Sequence, residues 1–268
     1  MGIYLAALIL LSFLLWIKSI FHRHRLTLLK SLKRVTNMTS ETDGADVTAL
    51  LVTAHPDDEC MFFAPTVIRL VELKARVHVL CLSEGNYYNQ GARRKQELLD
   101  SCAVLGIPAS RVTITDHKNL PDDPKAEWSV SLVSSVIAKH IRALSVNMVL
   151  TFDGRGVSGH ANHTAIYKAV SHLAITGQIP DDCCLLSLVT VGLLRKYISF
   201  LELPLSWLLP SCLCCIVGSE GFRQAKAAML CHRSQLLWFR YLYISLSRYM
   251  YINTFQLIPQ GPKNLKIY

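Results

Sequence analysis

The sequence lacks several features that would assign it to common classes of protein. It has no G-x-G-x-x-G motif, so a dinucleotide cofactor is not indicated. Its nine cysteines are an odd number, and their spacing is not that of a disulfide framework or of a paired zinc ribbon. No internal repeat or low-complexity tract is evident. These absences favour a reducing compartment such as the cytosol, and a single non-repetitive fold.

Acidic residues are scarce: 19 Asp and Glu stand against 28 Lys and Arg, which gives a formal net charge of +9. The basic residues are not concentrated in a recognisable nucleic-acid-binding motif, so we predict no nucleic-acid partner. An anionic membrane face accounts better for the excess charge. The alternative is a basic surface without a specific partner.

Charged side chains are absent from the first seventeen residues, which are almost wholly apolar and are followed at once by Lys18 and a basic cluster at 22–25. This length is close to the lower limit of the roughly 17–25 residues that span a bilayer as a helix. A signal peptide is the rival interpretation, but no basic region precedes the run and no A-x-A-like site follows it. The basic flank then places the bulk of the protein in the cytosol, on a single-pass anchor.

The rest of the chain divides by composition. We predict a membrane anchor over 1–21, a basic and polar linker over 22–45, a catalytic domain over 46–255 and a tail over 256–268. Strand-like runs near 49–54, 76–82, 112–115, 147–152 and 184–191 alternate with helical patterns near 58–73, 91–105, 125–144 and 163–176. This alternation predicts an α/β domain with a doubly wound, mostly parallel, Rossmann-like sheet.

A cluster of polar side chains follows the first strand of the domain. The sequence His55-Pro-Asp57-Asp58-Glu59 comes directly after the apolar run 49–54. Buried charge is costly unless it is paired or bound to a metal, and active sites of α/β sheets lie at the carboxyl ends of strands. His55 and Asp58 are suitable zinc ligands, which leaves Asp57 free to act as a general base.

A second cluster, at the end of the strand at 147–152, offers a third ligand. His160 and His163 are three residues apart, so both can face the same side of a helical turn. Either cluster alone has a simpler explanation, such as surface histidines or a helix-capping box. Because both follow predicted parallel strands, together they favour a metal site.

The chain resembles a known family in these motifs and in others. Residues 54–59 read AHPDDE and 158–163 read SGHANH, and further matching segments are MFFAP (61–65), GNYYNQ (85–90), LPDDP (120–124) and CHRSQLLWF (231–239). With these motifs, the region 46–255 resembles the zinc-dependent de-N-acetylases of the PIG-L and LmbE-like family. The resemblance implies hydrolysis of the N-acetyl group of N-acetylglucosaminyl-phosphatidylinositol at the endoplasmic reticulum membrane, in GPI-anchor biosynthesis.

The resemblance also implies a role for individual residues. The metal ligands would be His55, Asp58 and His163; the general base would be Asp57; His160 would stabilise the oxyanion or donate a proton; and Arg94 and Asp122 would contact the substrate. Zinc is the expected metal, although the donor set also suits other divalent transition metals. One departure is Ser158, at a position where some bacterial members carry a tyrosine.

Two other functions fit parts of this pattern. One is deacetylation of a soluble N-acetylglucosaminyl conjugate, and the other is a non-catalytic membrane adaptor that binds phosphoinositides. Two segments of the C-terminal third also allow two interpretations each. The uncharged segment 203–217 suits a buried hairpin or a membrane-dipping patch, and the aromatic and arginine-rich segment 235–251 suits the bilayer interface or a packed core helix.

Overall fold

The computed structural model describes residues 2–36, 46–123 and 125–261, and its centre is a seven-stranded sheet. The strand order is β3-β2-β1-β4-β5-β7-β6. The strands are β1 (Thr48–Thr53), β2 (Arg76–Cys81), β3 (Val112–Ile114), β4 (Met148–Phe152), β5 (Cys184–Leu188), β6 (Leu213–Ile216) and β7 (Ile252–Leu257).

The first five strands are parallel, and they form the doubly wound arrangement that the sequence predicts. In the register of β1, Leu51 lies opposite Val79 of β2 on one side and Leu150 of β4 on the other. The chain therefore moves outward from β1 in one direction and then in the other, which creates a topological switch point between β1 and β4. The alternating pattern did not indicate β6 and β7, which pair antiparallel with each other; β7 is also antiparallel to β5.

Helices cover both faces of the sheet. They are α1 (Gly2–Thr36), α2 (Asp58–Phe62), α3 (Ala64–Glu72), α4 (Gly91–Val104), α5 (Val130–Ala143), α6 (Gly156–Gly159), α7 (Ala161–Ile175), α8 (Leu193–Lys196), α9 (Leu203–Leu208), α10 (Ser219–Cys231) and α11 (Trp238–Leu246). In the described part of the chain, four short 3-10 helices connect them, at 109–111, 199–202, 233–235 and 248–250.

The core has two main layers, because the side chains of β1 alternate between the faces of the sheet. Ala49 and Leu51 belong to a cluster with α3, α4 and α10, whereas Leu50 and Val52 belong to a cluster with α5 and α7. Every residue of β1 is buried. A strand covered on both faces is expected to be continuously apolar, as the run at 49–54 is.

The N-terminal helix α1 has two halves with different environments. Most of the apolar side chains between residues 4 and 16 are exposed, whereas Ile20, His24, Leu28 and Leu32 are buried at intervals of four residues. Within the described ranges, α1 is the one helix long and apolar enough to cross a membrane. Residues 22–36, expected to be linker, instead continue the helix and pack on the domain; residues 37–45 lie outside the described ranges.

Several element boundaries differ from those predicted. The expected helix 58–73 is two helices, because the chain bends at Phe63 before Pro65 near the start of α3. The expected helix 125–144 begins only at Val130, where the Ser129 hydroxyl accepts a hydrogen bond from the Leu132 backbone N–H. Strand β7 extends to Leu257, two residues beyond the predicted end of the domain.

The two ambiguous C-terminal segments are each partly buried and partly exposed. Residues 203–217 form α9, whose Leu208 is exposed, followed by the mostly buried strand β6. In residues 235–251 the helix α11 exposes Trp238 and buries Tyr243. Arg248, which the sequence offered as an interfacial arginine, is wholly buried and paired with Glu202.

Candidate metal centre and active site

The loop after β1 is organised by the carboxylate of Asp58. One oxygen, Oδ2, accepts hydrogen bonds from the backbone N–H groups of Ala54 and His55, both at 2.9 Å. The other oxygen, Oδ1, lies 3.1 Å from Nε2 of His163. Burial alone would raise the pKa of Asp58, but His163 and these hydrogen bonds hold it well below its usual range. Asp58 is therefore ionised, and its Oδ1 faces Nε2 of His163.

His163 is fixed in one orientation at the start of α7. Its Nδ1–H donates to the carbonyl of Gly156 at 3.0 Å, and its ring stacks on Phe152 with the centroids 3.8 Å apart. The Nε2 atom therefore points toward Asp58. Such a bond to the remote nitrogen is typical of metal-binding histidines, since it fixes the tautomer and the ring plane.

The pair formed by Asp58 and His163 fits a cation. Although Nε2 of His163 is buried and close to the carboxylate, it makes no hydrogen bond of acceptable geometry within the described part of the chain. Two zinc ligands each lie about 2.1 Å from the ion, which allows a separation near 3 Å between the ligand atoms. Burial would lower the pKa of His163, and the neighbouring Asp58 raises it. A bound cation would supply the positive charge that this carboxylate attracts.

Two further histidines complete the cluster. The ligand atoms of His55, His160 and His163 lie within 4.8 Å of one another. Burial lowers the pKa of His55 to about 4 and also lowers that of His160, so both are neutral at physiological pH. The backbone N–H of Asn162 donates to Nδ1 of His160 at 3.3 Å, which leaves the Nε2–H of His160 as a hydrogen-bond donor.

Asp57 lies next to this cluster in an unusual backbone conformation. Its φ is 119°, in the left-handed region that a residue with a Cβ rarely adopts. Its carboxylate accepts a hydrogen bond from Arg240 at 3.2 Å and lies 3.7 Å from Arg94. Burial raises the pKa of Asp57, and the two guanidinium groups oppose that shift. A carboxylate whose pKa is raised is better suited to take up a proton.

A buried network supports the backbone of Asp57 from behind. The carboxylate of Glu59 accepts hydrogen bonds from the backbone N–H of Asp57 at 3.0 Å, from Ser101 at 2.5 Å and from His232 at 2.7 Å. Glu59, Cys60 and His232 are close enough to be metal ligands. Burial raises the pKa of the Cys60 thiol well above its usual value, and the thiol donates to the carbonyl of Asp57. We therefore interpret this group as a hydrogen-bonded support.

Arg94 and Asp122, the predicted substrate contacts, are joined to the cluster and to each other. Arg94 donates to the carbonyls of Pro56 at 2.6 Å and Gly85 at 3.1 Å, and to Asp122 at 3.1 Å. The second oxygen of Asp122 lies 3.2 Å from Nε2 of His55. A Cβ on Gly85 would lie 2.5 Å from the guanidinium, so the arginine needs glycine at this position. Arg94 thus connects the loops that follow β1, β2 and β3.

These side chains lie at the base of a cavity of about 660 Å³. Its walls include Tyr87, Tyr88, Tyr197, Trp238 and Phe239. Ser158 also lines it. The cavity opens at the carboxyl ends of β1 and β4, at the switch point of the sheet. The fold and the site together define the class, which is an α/β enzyme with a candidate metal centre of histidine and aspartate.

Comparison with known proteins identifies the family within this class. The family model PIG-L, described as GlcNAc-PI de-N-acetylase, matches residues 50–174. This match, together with the bovine relative described next, shows that the chain belongs to the PIG-L family of de-N-acetylases. The N-acetylglucosaminyl-phosphatidylinositol de-N-acetylase of Bos taurus is 50% identical over 211 residues, which are 79% of this chain and 83% of the bovine protein.

Other relatives support the assignment. A probable N-acetylglucosaminyl-phosphatidylinositol de-N-acetylase of Dictyostelium discoideum is 33% identical over an alignment that covers 76% of this chain and 91% of the Dictyostelium protein. Among solved structures, the N,N'-diacetylchitobiose deacetylase of Pyrococcus horikoshii superposes with a TM-score of 0.59, covering 90% of this chain and 92% of its own at 14% identity. At that identity the structural likeness establishes the fold alone.

Sequence reasoning missed three residues that contact the site. Arg240 reaches Asp57 across 183 positions of sequence, and His232 reaches Glu59 across 173. Asn162 is wholly buried, and its side-chain amide lies 3.1 Å from Nε2 of His55. The position of Asn162 between the two histidines was an available signal. His232 lies in the CHRSQLLWF motif, but neither that motif nor the sequence around Arg240 indicates a contact partner, because only the tertiary fold brings α11 and the end of α10 to the segment after β1.

Proposed function

We propose that this protein hydrolyses the N-acetyl group of N-acetylglucosaminyl-phosphatidylinositol, giving glucosaminyl-phosphatidylinositol and acetate, the second step of GPI-anchor biosynthesis. The observation that carries the proposal is the buried carboxylate of Asp57, which lies beside the cluster of His55, Asp58 and His163 at the base of an open cavity. The names of the relatives support the choice of substrate. Helix α1 supports a membrane location, for which we propose the endoplasmic reticulum with the domain in the cytosol.

We assign His55, Asp58 and His163 as the residues that hold the metal. Neutral imidazole nitrogens and an ionised carboxylate are the donors that zinc accepts, and other divalent transition metals take the same set. When bound, such a cation would lower the pKa of a water molecule and polarise the acetamide carbonyl.

Asp57 and His160 perform the proton transfers and the charge stabilisation. Asp57 takes the proton from the attacking water, and because burial raises its pKa it can hold this proton and return it to the leaving nitrogen. The Nε2–H of His160 is directed away from the bond at Nδ1 and is available to the developing oxyanion. The carbon–nitrogen bond then breaks, and acetate and the free amine leave.

Arg94 and Asp122 organise the sugar-binding side of the cavity. We propose that the carboxylate of Asp122, which borders the cavity, accepts hydrogen bonds from sugar hydroxyls. Arg94 is nearly buried and already donates to three groups, so its contribution is to hold Asp122 and the loop of Asp57 in place. A hydrogen bond from a charged donor contributes about 1.5–3 kcal/mol to such an arrangement.

Acetate release from N-acetylglucosaminyl-phosphatidylinositol by the purified full chain tests the proposal. Asp57→Asn, at matched metal content, is expected to reduce kcat by a factor of about 10² to 10⁴, because the proton acceptor is removed. Asp100→Asn, an exposed aspartate on α4, is the matched control and should leave the rate unchanged.

Each other outcome has a separate meaning. An unchanged rate in Asp57→Asn would show that this carboxylate is not the base. No turnover by folded, metal-loaded wild type would exclude the proposed reaction. Equal turnover of a soluble N-acetylglucosaminyl conjugate would show that the lipid is not required for recognition.

A further inference from the structure

Most of the exposed large apolar side chains in the described part of the domain lie in two surface segments, 193–209 and 237–246. Leu193 and Leu194 of α8, Leu208 of α9 and Trp238 of α11 are each more than two-thirds exposed. A contiguous apolar patch of this kind is uncommon on a monomeric soluble protein and marks a contact with another surface. We call these two segments together the mouth face.

The two segments belong to one continuous surface around the entrance of the cavity. The hydroxyl of Ser199 in the first segment donates to the carbonyl of Ser245 in the second at 3.2 Å. Tyr197 from the first segment and Trp238 and Leu242 from the second line the cavity itself. Whatever covers the mouth face therefore also covers the opening through which substrate enters.

Helix α1 leaves the domain next to the mouth face. Ile20 packs in a small cluster with Leu203 at the start of α9, and Phe21 and Trp207 pack against that cluster. Before residue 20 the helix is mostly exposed and apolar, as expected of the segment that enters a bilayer. A membrane that holds this segment consequently lies beside α9.

The charges of the mouth face match an anionic lipid surface. Within these two fully described segments the one carboxylate is Glu202, which is wholly buried and bonded to Arg195 and Arg248. The charged groups that remain near the surface are basic, including Lys196 and Arg240 at the cavity. Tyrosine, tryptophan and basic side chains around an apolar patch are the composition that sits at the headgroup level of a bilayer.

From this arrangement we propose that the mouth face inserts into the headgroup region of the membrane that anchors α1, so that the cavity opens directly onto the lipid. The functional role of this membrane contact rests on the proposed lipid substrate, whereas the contact itself is inferred from the exposed side chains and does not depend on catalysis. A lipid that presents its sugar at the headgroup level then reaches the metal centre without leaving the bilayer.

Tryptophan fluorescence of the full chain in anionic vesicles tests the contact directly. The chain has four tryptophans, so the contribution of Trp238 is obtained as the difference between wild type and Trp238→Phe. With brominated phosphatidylcholine in the vesicles, this difference signal is expected to be quenched. The corresponding difference for Trp128→Phe, a buried tryptophan that does not belong to the mouth face, should not be quenched. An unquenched Trp238 signal would overturn the proposal.

Kinetics with two substrate forms provide a second test. The double variant Leu194→Glu, Leu208→Glu places charge on the mouth face outside the cavity lining. We expect severalfold slower turnover of lipid substrate in vesicles and unchanged turnover of the water-soluble headgroup that lacks acyl chains. The control is Ile175→Glu, which places the same charge on an exposed isoleucine at the end of α7 and should change neither rate.

The two tests separate the contact from the activity. Equal loss on both substrates, or no loss on either, would contradict membrane insertion of the mouth face. If wild type releases acetate from neither substrate, the proposed reaction fails, and the quenching experiment still decides whether Trp238 contacts lipid.

Discussion

Asp57 depends on its neighbours for both its conformation and its proton affinity. A left-handed backbone at a residue other than glycine costs about 1–3 kcal/mol and persists only where surrounding contacts hold it. Here the carboxylate of Glu59 accepts the Asp57 backbone N–H, and Arg240 and Arg94 lie beside the Asp57 carboxylate. The residue proposed as the base is thus positioned by groups from α2, α4 and α11.

Glu59→Gln tests the support behind Asp57. The amide has one acceptor oxygen in place of two, so at least one of the donors Asp57 N–H, Ser101 and His232 loses its partner. We expect kcat to fall with little change in KM, and stability to fall by about 1–3 kcal/mol. Steady-state kinetics and thermal unfolding measure both effects.

A matched control for this variant is available in the chain. Glu84 forms an ion pair with Lys95 at the surface, where such pairs contribute about 0–1 kcal/mol. Glu84→Gln is therefore expected to change neither kcat nor stability appreciably. If Glu59→Gln behaved in the same way, the supporting role of Glu59 would be wrong.

Arg240→Gln tests the electrostatic setting of Asp57 through pH. The positive charge of Arg240 favours the ionised carboxylate, so its removal should raise the pKa of Asp57 further. Because the base must be ionised to act, the acid limb of the kcat/KM profile should move to higher pH. Arg93→Gln, on an exposed arginine of α4, should leave the profile in place, and a shift to lower pH in Arg240→Gln would contradict this account.

At the scale of elements, β7 holds the helices that carry the site. The side chain of Asn253, the second residue of β7, donates to the carbonyl of Phe62 at 2.8 Å. It also accepts from the Thr66 hydroxyl at 2.7 Å and from the Thr66 backbone N–H at 3.2 Å. A single buried amide thus joins the last strand of the sheet to both α2 and α3, at the bend between these helices.

Replacing Asn253 should consequently lower the free energy of unfolding by more than an average substitution does. Asn253→Ala leaves buried partners in both helices without a hydrogen bond, at an expected cost of about 1–3 kcal/mol in stability. Gln256→Ala, on the same strand at an exposed position, is the control and should stay within about 0.5 kcal/mol of wild type. Equal melting temperatures for the two variants would show that the Asn253 contacts do not stabilise the junction.

At the scale of the whole molecule, metal binding and folding are expected to be coupled. The proposed ligands lie in the segments that follow β1 and β4, namely His55 before α2, Asp58 at its start and His163 in the first turn of α7, and these segments are adjacent only in the folded sheet. Because a ligand that binds only the folded state stabilises it by about 2.7 kcal/mol at 100 times its Kd, removal of the metal by a chelator should lower the melting temperature. Added zinc should restore it.

Asp58→Asn separates this effect from general destabilisation. The variant keeps the shape of the side chain but weakens it as a ligand, so its melting temperature should respond little to chelator or to zinc. Elemental analysis verifies that the chelator has removed the metal from the wild type. If the melting temperature is then unchanged, the cation does not contribute to stability.

The sequence by itself determined the elements that short-range pattern controls. The apolar run at 49–54 is a buried strand, and the helix–strand alternation predicted that the strands from β1 to β5 are parallel, as they are. The sequence also predicted that four polar residues lie close together, because the carboxyl ends of neighbouring parallel strands meet at one edge of the sheet. These residues are His55, Asp58, His160 and His163. The bend at Phe63 and the late start of α5 depend on local turn geometry, and the alternation of apolar and polar residues does not encode that geometry.

Only the tertiary structure decided which distant groups complete the site. Arg240 comes from the segment 235–251, whose aromatic and arginine-rich composition equally suited a membrane surface or a core helix, and His232 lies just before that segment. The fold buries Arg248 against Glu202 and leaves Trp238 exposed, although both lie in the same segment. The physical reason is that periodicity records which side of an element is apolar, whereas the partner of a charged side chain is fixed only when separate elements pack together.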